Sequence, residues 1–141
     1  MNNLHKLHEL AYNHNHRITN YNLSTLKSKA AIIEIDGNYG IFIDRKQIET
    51  KAEETAITAH ELGHAETGST HKLNSNYDVI EKHEYRANVW ATHYLIPFNE
   101  YLEAINKGNT KLWQLAEYFD VTEDFISIVH QVYCNEGKFL N

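Results

Sequence analysis

The sequence predicts an α+β fold in which a short β-sheet packs against several helices. Two β-rich runs lie within residues 30–44, and Asp36-Gly37-Asn38 between them is typical of a tight turn. Apolar residues recur at helical spacing in the segments before and after this hairpin. At 141 residues the chain is long enough for one core, so we expect a single domain over residues 1–141.

The first half of the chain gives three further elements. Leu4, Leu7 and Ala11 share one face of a short first helix, and the polar, asparagine-rich residues 13–21 are interpreted as a loop. After the hairpin, residues 51–59 are mostly good helix formers and contain no breaker. Gly68 then supplies a helix stop.

A longer helix is predicted over residues 78–95. Asp78 is the expected N-cap with Glu81 as its capping-box partner, and Pro97 closes the segment. One stripe of this helix is apolar, which indicates that it packs on another element: Ala87, Trp90, Ala91 and Tyr94.

Residues 98–141 are expected to form a helical tail on the sheet and helices of residues 1–97. Its helices are predicted over residues 98–107, 110–119 and 122–133, and the last two have the outline of a helix-turn-helix. Glu123 and Asp124 open the last helix and would repel phosphate. We therefore expect no direct contact with nucleic acid, and instead packing within the domain or docking of a partner.

The motif His60-Glu61-Leu62-Gly63-His64 carries the chemistry. Residues four apart lie one helical turn above each other, so His60 and His64 can share one cation. Glu61 stands beside them, where a carboxylate can act as a base toward water. This is the HExxH arrangement of zinc peptidases.

A third metal ligand is expected on the following helix. Catalytic zinc usually keeps three protein ligands and one position for water or substrate. Glu84 is the best candidate, because it lies one turn before Ala87 on the packed side of its helix. Asn88, a further turn along that helix, is either a hydrogen-bond partner of a ligand histidine or a packing residue.

These motifs together resemble those of the ImmA/IrrE family of metallopeptidases. The family shows HELGH, then an ExxAN-x-[FW]-A segment and a Leu-x-Pro step; this chain has HELGH at 60–64, EYRANVWA at 84–91 and LIP at 95–97. A strand pair before the motif and a helical tail after it extend the likeness over nearly the whole chain. The resemblance implies a small zincin-like domain.

The resemblance also implies a site and an activity. One zinc ion would be held by His60, His64 and Glu84, with Glu61 as general base. The expected activity is site-specific endopeptidase cleavage of a helix-turn-helix repressor from a phage or mobile element, which relieves repression. The alternative is a non-proteolytic antirepressor that binds the repressor and uses zinc structurally. The family places a histidine soon after HELGH; His71 follows later here and is assigned no role.

The sequence leaves two parts of the mechanism with more than one candidate: the strand that binds substrate and the group that stabilises the oxyanion. An edge strand near the metal would bind substrate in extended form, and the strand just before the zinc helix is the natural candidate. The group that stabilises the oxyanion could be any of Tyr94, His93, His83 or Tyr85. The histidines outside the motif are expected to be solvated: His5, His8, His14, His16, His71, His83, His93 and His130.

The composition indicates which partners and which cellular compartment to expect. The net charge of −6 disfavours nucleic-acid binding through a general basic surface. No stretch approaches a membrane span, and residues 1–6 lack the apolar core of a signal peptide. The lone Cys134 suits a reducing compartment. We expect a cytoplasmic enzyme without membrane contact.

Overall fold

The computed structural model describes residues 2–70 and 76–139, and His71 lies outside this part of the chain. Within it, six α-helices accompany a mixed sheet of three strands, which confirms the predicted α+β class. In chain order the elements are α1 (Asn3–Asn13), β1 (Arg17–Asn20), β2 (Ala30–Ile35), β3 (Asn38–Ile43), α2 (Lys51–Thr67), α3 (Tyr77–Leu95), α4 (Phe98–Asn106), α5 (Leu112–Phe119) and α6 (Glu123–Asn135).

The sheet has the strand order β1-β3-β2, so β3 is central. β2 and β3 form the predicted antiparallel hairpin, with Ile32 opposite Ile41. Asp36 and Gly37 both have positive φ, 52° and 83°, as a two-residue primed turn requires. The inward residues Ile41 and Ile43 of β3 are buried against the helices.

The predicted loop over residues 13–21 is wrong, because Arg17–Asn20 forms β1. This strand pairs in parallel with β3, with Ile18 opposite Ile41. Ile18 is its one large apolar residue and packs on the core, while both strand ends are exposed. A four-residue edge strand with one apolar side chain has no readable alternation, so only the pairing with β3 defines it.

The expectation that the strand just before the zinc helix is a free edge is also wrong. That strand is β3, and β1 and β2 flank it on both sides. The edge strand that borders α2 is β2, because Ala30, Ala31 and Ile32 line a cavity together with Glu61 of α2.

The start of α3 differs from the prediction by two residues. Asn76 is the N-cap, and its side-chain oxygen accepts a hydrogen bond from the N–H of Val79 at 3.1 Å. Asp78 lies in the first turn, where its negative charge interacts favourably with the helix dipole. Glu81 therefore falls beyond the N3 position that a capping box needs. Asn and Asp cap almost equally well, so the sequence pattern did not separate them.

One core joins the helices to the sheet. The predicted stripe of α3 faces inward, and Ala87 and Ala91 have no exposed surface. The tail is anchored to α3 by the buried Tyr133, whose hydroxyl donates to the carbonyl of Ile96 at 2.7 Å. Among the described residues, no helix combines the length and the apolar character needed to cross a bilayer.

Candidate metal centre

The helix α2 has a well-defined cap at each end. Thr50 is the N-cap and accepts from the N–H of Glu53 at 3.1 Å, and the acidic residues Glu53 and Glu54 lie in the first turn. Gly68 ends the helix with φ of 63°, a conformation that costs glycine little. The HExxH motif therefore occupies the last two turns of a well-capped helix.

The glycine inside the motif lets α2 and α3 approach closely. A Cβ added at Gly63 would overlap the carbonyl oxygen of Ala87 and lie 2.9 Å from its Cα. Gly63 contacts Ala87, which lies one turn after Glu84 on α3. This contact therefore determines the position of Glu84 along the axis of α2. The close crossing is what brings the third predicted ligand to the two histidines.

The structure brings His60, His64 and Glu84 together. Nε2 of His60 lies 2.6 Å from Oε2 of Glu84, and Nε2 of His64 lies 3.2 Å from Nε2 of His60 and 3.4 Å from Oε2 of Glu84. His64 is nearly buried, with 5% of its side chain exposed, while Glu84 is 42% exposed. The site is thus closed on the α2 side and open to solvent at Glu84.

The hydrogen bonds at the far side of each ring fix how the imidazoles face the centre. Nδ1 of His60 donates to Oδ1 of Asn88 at 2.8 Å, and Nδ1 of His64 donates to the carbonyl of Ser69 at 3.0 Å. A neutral ring that carries its proton on Nδ1 presents a lone pair at Nε2. The hydrogen bond anticipated for Asn88 is therefore present, and it acts on the predicted ligand His60.

This donor set fits a zinc ion. Two lone pairs on nitrogen and a carboxylate oxygen converge on one point, and lone pairs that face each other repel unless a cation or a proton lies between them. Tetrahedral bonds of about 2.0–2.2 Å would hold ligand atoms roughly 3.3 Å apart. The 3.2 and 3.4 Å separations agree with that value. The 2.6 Å contact is shorter, because without an ion His60 is protonated and its Nε2–H donates to Glu84; a bound ion would take the place of that proton.

The charges at the centre reinforce one another. Hydrogen bonds from His60 and His64 hold the pKa of Glu84 far below its usual range. Burial opposes protonation of His60, but the hydrogen bond to Glu84 and the charge of Glu61 outweigh it and raise the pKa of that imidazole. Glu84 is therefore a carboxylate at neutral pH, which is the form that a metal binds.

Glu61 lies at the mouth of the centre. Burial raises its pKa, Glu84 adds to the rise, and His60 and His64 oppose it. Glu61 lines two cavities: one of ≈230 Å³ toward β2 and one of ≈400 Å³ toward the start of α6. Glu61 and Ala30 thus line both cavities.

Three of the four proposed oxyanion groups point elsewhere. Tyr94 stacks on Trp90 with centroids 5.0 Å apart, on the side of α3 that meets α1. The ring of His93 pairs with Glu136 at 2.7 Å, and the hydroxyl of Tyr85 accepts from Asn135 at 2.9 Å. His83 is half-buried on α3, and its role at the oxyanion stays a prediction.

Sequence reasoning missed two contributors to this region. The carbonyl of Ser69, which positions His64, is a backbone group and leaves no trace in residue type; the Gly68 turn before it was the available signal. The start of α6 lines the ≈400 Å³ cavity through Phe125 and Ile128. Their apolar stripe was visible, but which element it covers depends on the tertiary fold.

Comparison with known proteins agrees with this geometry. Searches of curated proteins and of solved structures gave no significant match. A family model described as Peptidase_M78, IrrE N-terminal-like domain, matches residues 11–128, which covers most of the chain and includes both α2 and α3. The resemblance noted from the HELGH and EYRANVWA segments is thereby confirmed: the chain belongs to the Peptidase_M78 family of IrrE N-terminal-like, metallopeptidase-type domains.

Proposed function

We propose that the protein is a zinc-dependent endopeptidase in which His60, His64 and Glu84 hold the ion and Glu61 is the catalytic base. The convergence of two imidazole lone pairs and a carboxylate beside Glu61 is the observation that carries the proposal. A structural zinc site is usually closed by four protein ligands, whereas three converge here and Glu84 borders solvent. An open position is what catalysis needs.

The chain's own residues supply the proton transfers. A zinc ion held by His60, His64 and Glu84 would polarise the scissile carbonyl and lower the pKa of water. Glu61 takes a proton from the attacking water on its carboxylate and later gives it to the nitrogen of the leaving amine. The partial burial that raises the pKa of Glu61 helps this carboxylate to hold the proton between the two steps. Asn88 keeps the His60 ring oriented throughout.

The free edge of β2 is the proposed binding site for the substrate backbone. β2 pairs with β3 on one side, and Ala30, Ala31 and Ile32 border the cavity that reaches Glu61. An extended peptide laid along this edge would gain main-chain hydrogen bonds with little demand on sequence. Specificity must then come from side-chain pockets.

The larger cavity is the proposed specificity pocket. It extends from His60 and Glu61 to the start of α6, and its walls include Ile57, Phe125 and Ile128. These walls favour an apolar substrate side chain next to the scissile bond. The helical tail would therefore contribute to substrate binding.

The proposed substrate is a helix-turn-helix repressor of a phage or mobile element, cut in the cytoplasm to relieve repression. The family membership and the two cavities that meet at Glu61 support a selective protease of this kind. The alternative is an antirepressor that acts by binding alone and uses zinc structurally. Glu61 separates the two, because it is needed for proton transfer and not for holding the ion.

The test is incubation of purified wild type and Glu61→Gln with the repressor-like protein encoded beside the gene, with chelator or added zinc. We expect zinc-dependent cutting by wild type and none by Glu61→Gln, which keeps its zinc. Glu54→Gln is the matched control, since Glu54 lies on the same helix and pairs with Arg45 at 3.3 Å, outside the centre. Binding of the repressor by both proteins without cutting would support the antirepressor instead.

A further inference from the structure

A second cluster of metal-ligating side chains lies at the C-terminal end of α2, just beyond the HExxH motif. His14 and His16 flank the turn between α1 and β1, and Glu66 is in the last turn of α2. The expectation that these histidines are solvated is wrong for His16, because only 8% of its side chain is exposed. His14 is 46% exposed and Glu66 is 16% exposed, so the cluster is buried on one side and open at His14.

Both imidazoles are directed at one carboxylate. Nδ1 of His14 lies 2.8 Å and 2.9 Å from the two oxygens of Glu66, and Nε2 of His16 lies 2.8 Å from Oε2. The three ligand atoms fall within 4.8 Å of one another, as do those of His60, His64 and Glu84. The donor types, two imidazole nitrogens and one carboxylate oxygen, are also the same.

The local backbone holds the two rings in place without help from a metal. α1 ends in a Schellman turn: Asn15 has φ of 64°, its N–H donates to Tyr12 at 3.2 Å, and the N–H of His16 donates to Ala11 at 2.8 Å. This turn puts His14 and His16 on the same side of the chain, facing Glu66. The ring of Tyr39 meets the ring of His16 edge-on, with centroids 5.5 Å apart.

One difference separates this cluster from the HExxH centre. The far nitrogens of His60 and His64 donate to Asn88 and Ser69, which makes Nε2 the metal-binding nitrogen of each ring in its neutral form. Nδ1 of His16 has no hydrogen-bond partner within the described residues. No acceptor therefore holds the ring proton on Nδ1 and leaves Nε2 available to a metal. Without a metal, Nε2–H of His16 can donate to Glu66; with one, the ring must move its proton to Nδ1. Binding here is therefore weaker than at the HExxH centre.

We propose that His14, His16 and Glu66 form a second site for a divalent transition-metal ion of the zinc class, weaker than the HExxH centre. A bound ion would tie the α1–β1 turn to the last turn of α2, two residues after His64. Imidazole and carboxylate donors suit zinc and its neighbours in the transition series. The inference is independent of peptidase activity, because it concerns binding alone.

The test is a zinc titration of the full chain after chelator treatment, followed by long-range ¹H–¹⁵N NMR of the histidine rings. We expect the signals of His60 and His64 to shift first. With further zinc, Nδ1 of His14 and Nε2 of His16 shift to metal-bound positions, for two bound ions in all. Because the readout is specific to each ring, failure of the HExxH centre to bind zinc would not be confused with failure of the second site.

Two variants complete the test. His14→Gln, at the half-exposed position, is expected to fold normally and to lose the second bound ion. His5→Gln is the matched control, because His5 is an exposed histidine of α1 with a single carboxylate, Glu9, at 3.8 Å; it should leave both ions bound. Unchanged His14 and His16 signals in excess zinc, with His60 and His64 loaded, would overturn the proposal.

Discussion

Replacement of Gly63 by alanine tests whether the close crossing of α2 and α3 builds the metal centre. Alanine in place of a helical glycine favours the helix by about 0.5–1 kcal/mol, because the unfolded chain has less conformational freedom to lose. The added Cβ would overlap the carbonyl oxygen of Ala87 and lie 2.9 Å from its Cα. The two effects have opposite signs, so their sizes decide the outcome.

The steric effect is the larger one. Overpacking a well-packed interface typically costs about 1–3 kcal/mol. Here the atoms in the way belong to the backbone of Ala87, so no side-chain rotation relieves the contact and α3 as a whole must move. We expect a net loss of about 1–2 kcal/mol in the free energy of unfolding. For a chain of this length that corresponds to a fall in Tm of roughly 3–8 °C.

The same displacement should weaken the metal centre. Glu84 lies on α3 one turn before Ala87, and its oxygen is 2.6 Å from Nε2 of His60. Moving α3 outward lengthens this contact, so zinc affinity should fall along with stability. Unfolding is measured in chelator, which separates the packing effect from the metal effect, and zinc affinity is measured by competition with a chromophoric chelator.

Two control variants separate the effect of the helix crossing from the general effect of replacing a glycine by alanine. Gly40→Ala places its Cβ no closer than 3.5 Å to the Phe42 side chain, an ordinary contact, and should leave zinc affinity unchanged. Adding Ala87→Gly to Gly63→Ala should not restore stability, because the overlap is with backbone atoms. A Gly63→Ala protein with wild-type Tm and zinc affinity would refute the reasoning.

Three further substitutions probe other parts of the molecule. Asn88→Ala removes the acceptor of the His60 Nδ1 proton and should weaken zinc binding about 10–100-fold in the same competition assay. Hydrogen bonds from Gln47 and from the N–H of Leu23 lower the pKa of Asp44 below its ordinary 3.8. Asp44 therefore stabilises the fold above that pH, and the stabilisation is lost as pH falls through the lower folded-state pKa. The difference in urea midpoint between wild type and Asp44→Ala should be largest near neutral pH and shrink in acid; a constant difference would contradict this sign. Ile128→Ala should slow repressor cleavage roughly tenfold with zinc binding intact, whereas Leu112→Ala, on the exposed surface of the tail, should have no effect.

The parts of the fold that the sequence predicted well are those with strong local signals. The hairpin turn at Asp36 and Gly37, the stop at Gly68 and the apolar stripe of α3 all lie where expected. Each depends on a conformational preference or a periodicity that a few neighbouring residues determine. Glu84 was also placed beside the motif, because helical periodicity put it on the packed face with Ala87.

The features that sequence reasoning missed are those that depend on distant partners. β1 exists because β3 offers it an edge, and its own residues carry one apolar side chain. The role of β2 as the free edge depends on which side of β3 is covered by β1. His16 is buried because Glu66, fifty residues later, lies against it, and no local pattern encodes that contact.

The arrangement of α3 explains how one element can serve both halves of the proposed function. Its middle turns carry Glu84 and Asn88, which face the histidines of α2. Just beyond its last turn, the carbonyl of Ile96 accepts the hydroxyl proton of Tyr133, which anchors α6 and so positions the Phe125 wall of the larger cavity. Glu84, Asn88 and the carbonyl of Ile96 all lie on α3 or directly after it. The distance between the proposed specificity pocket and the metal centre is therefore set by this one helix. A peptide held by that pocket would have its scissile bond at a defined distance from Glu61 and the metal ligands, which is the positioning that a selective protease requires.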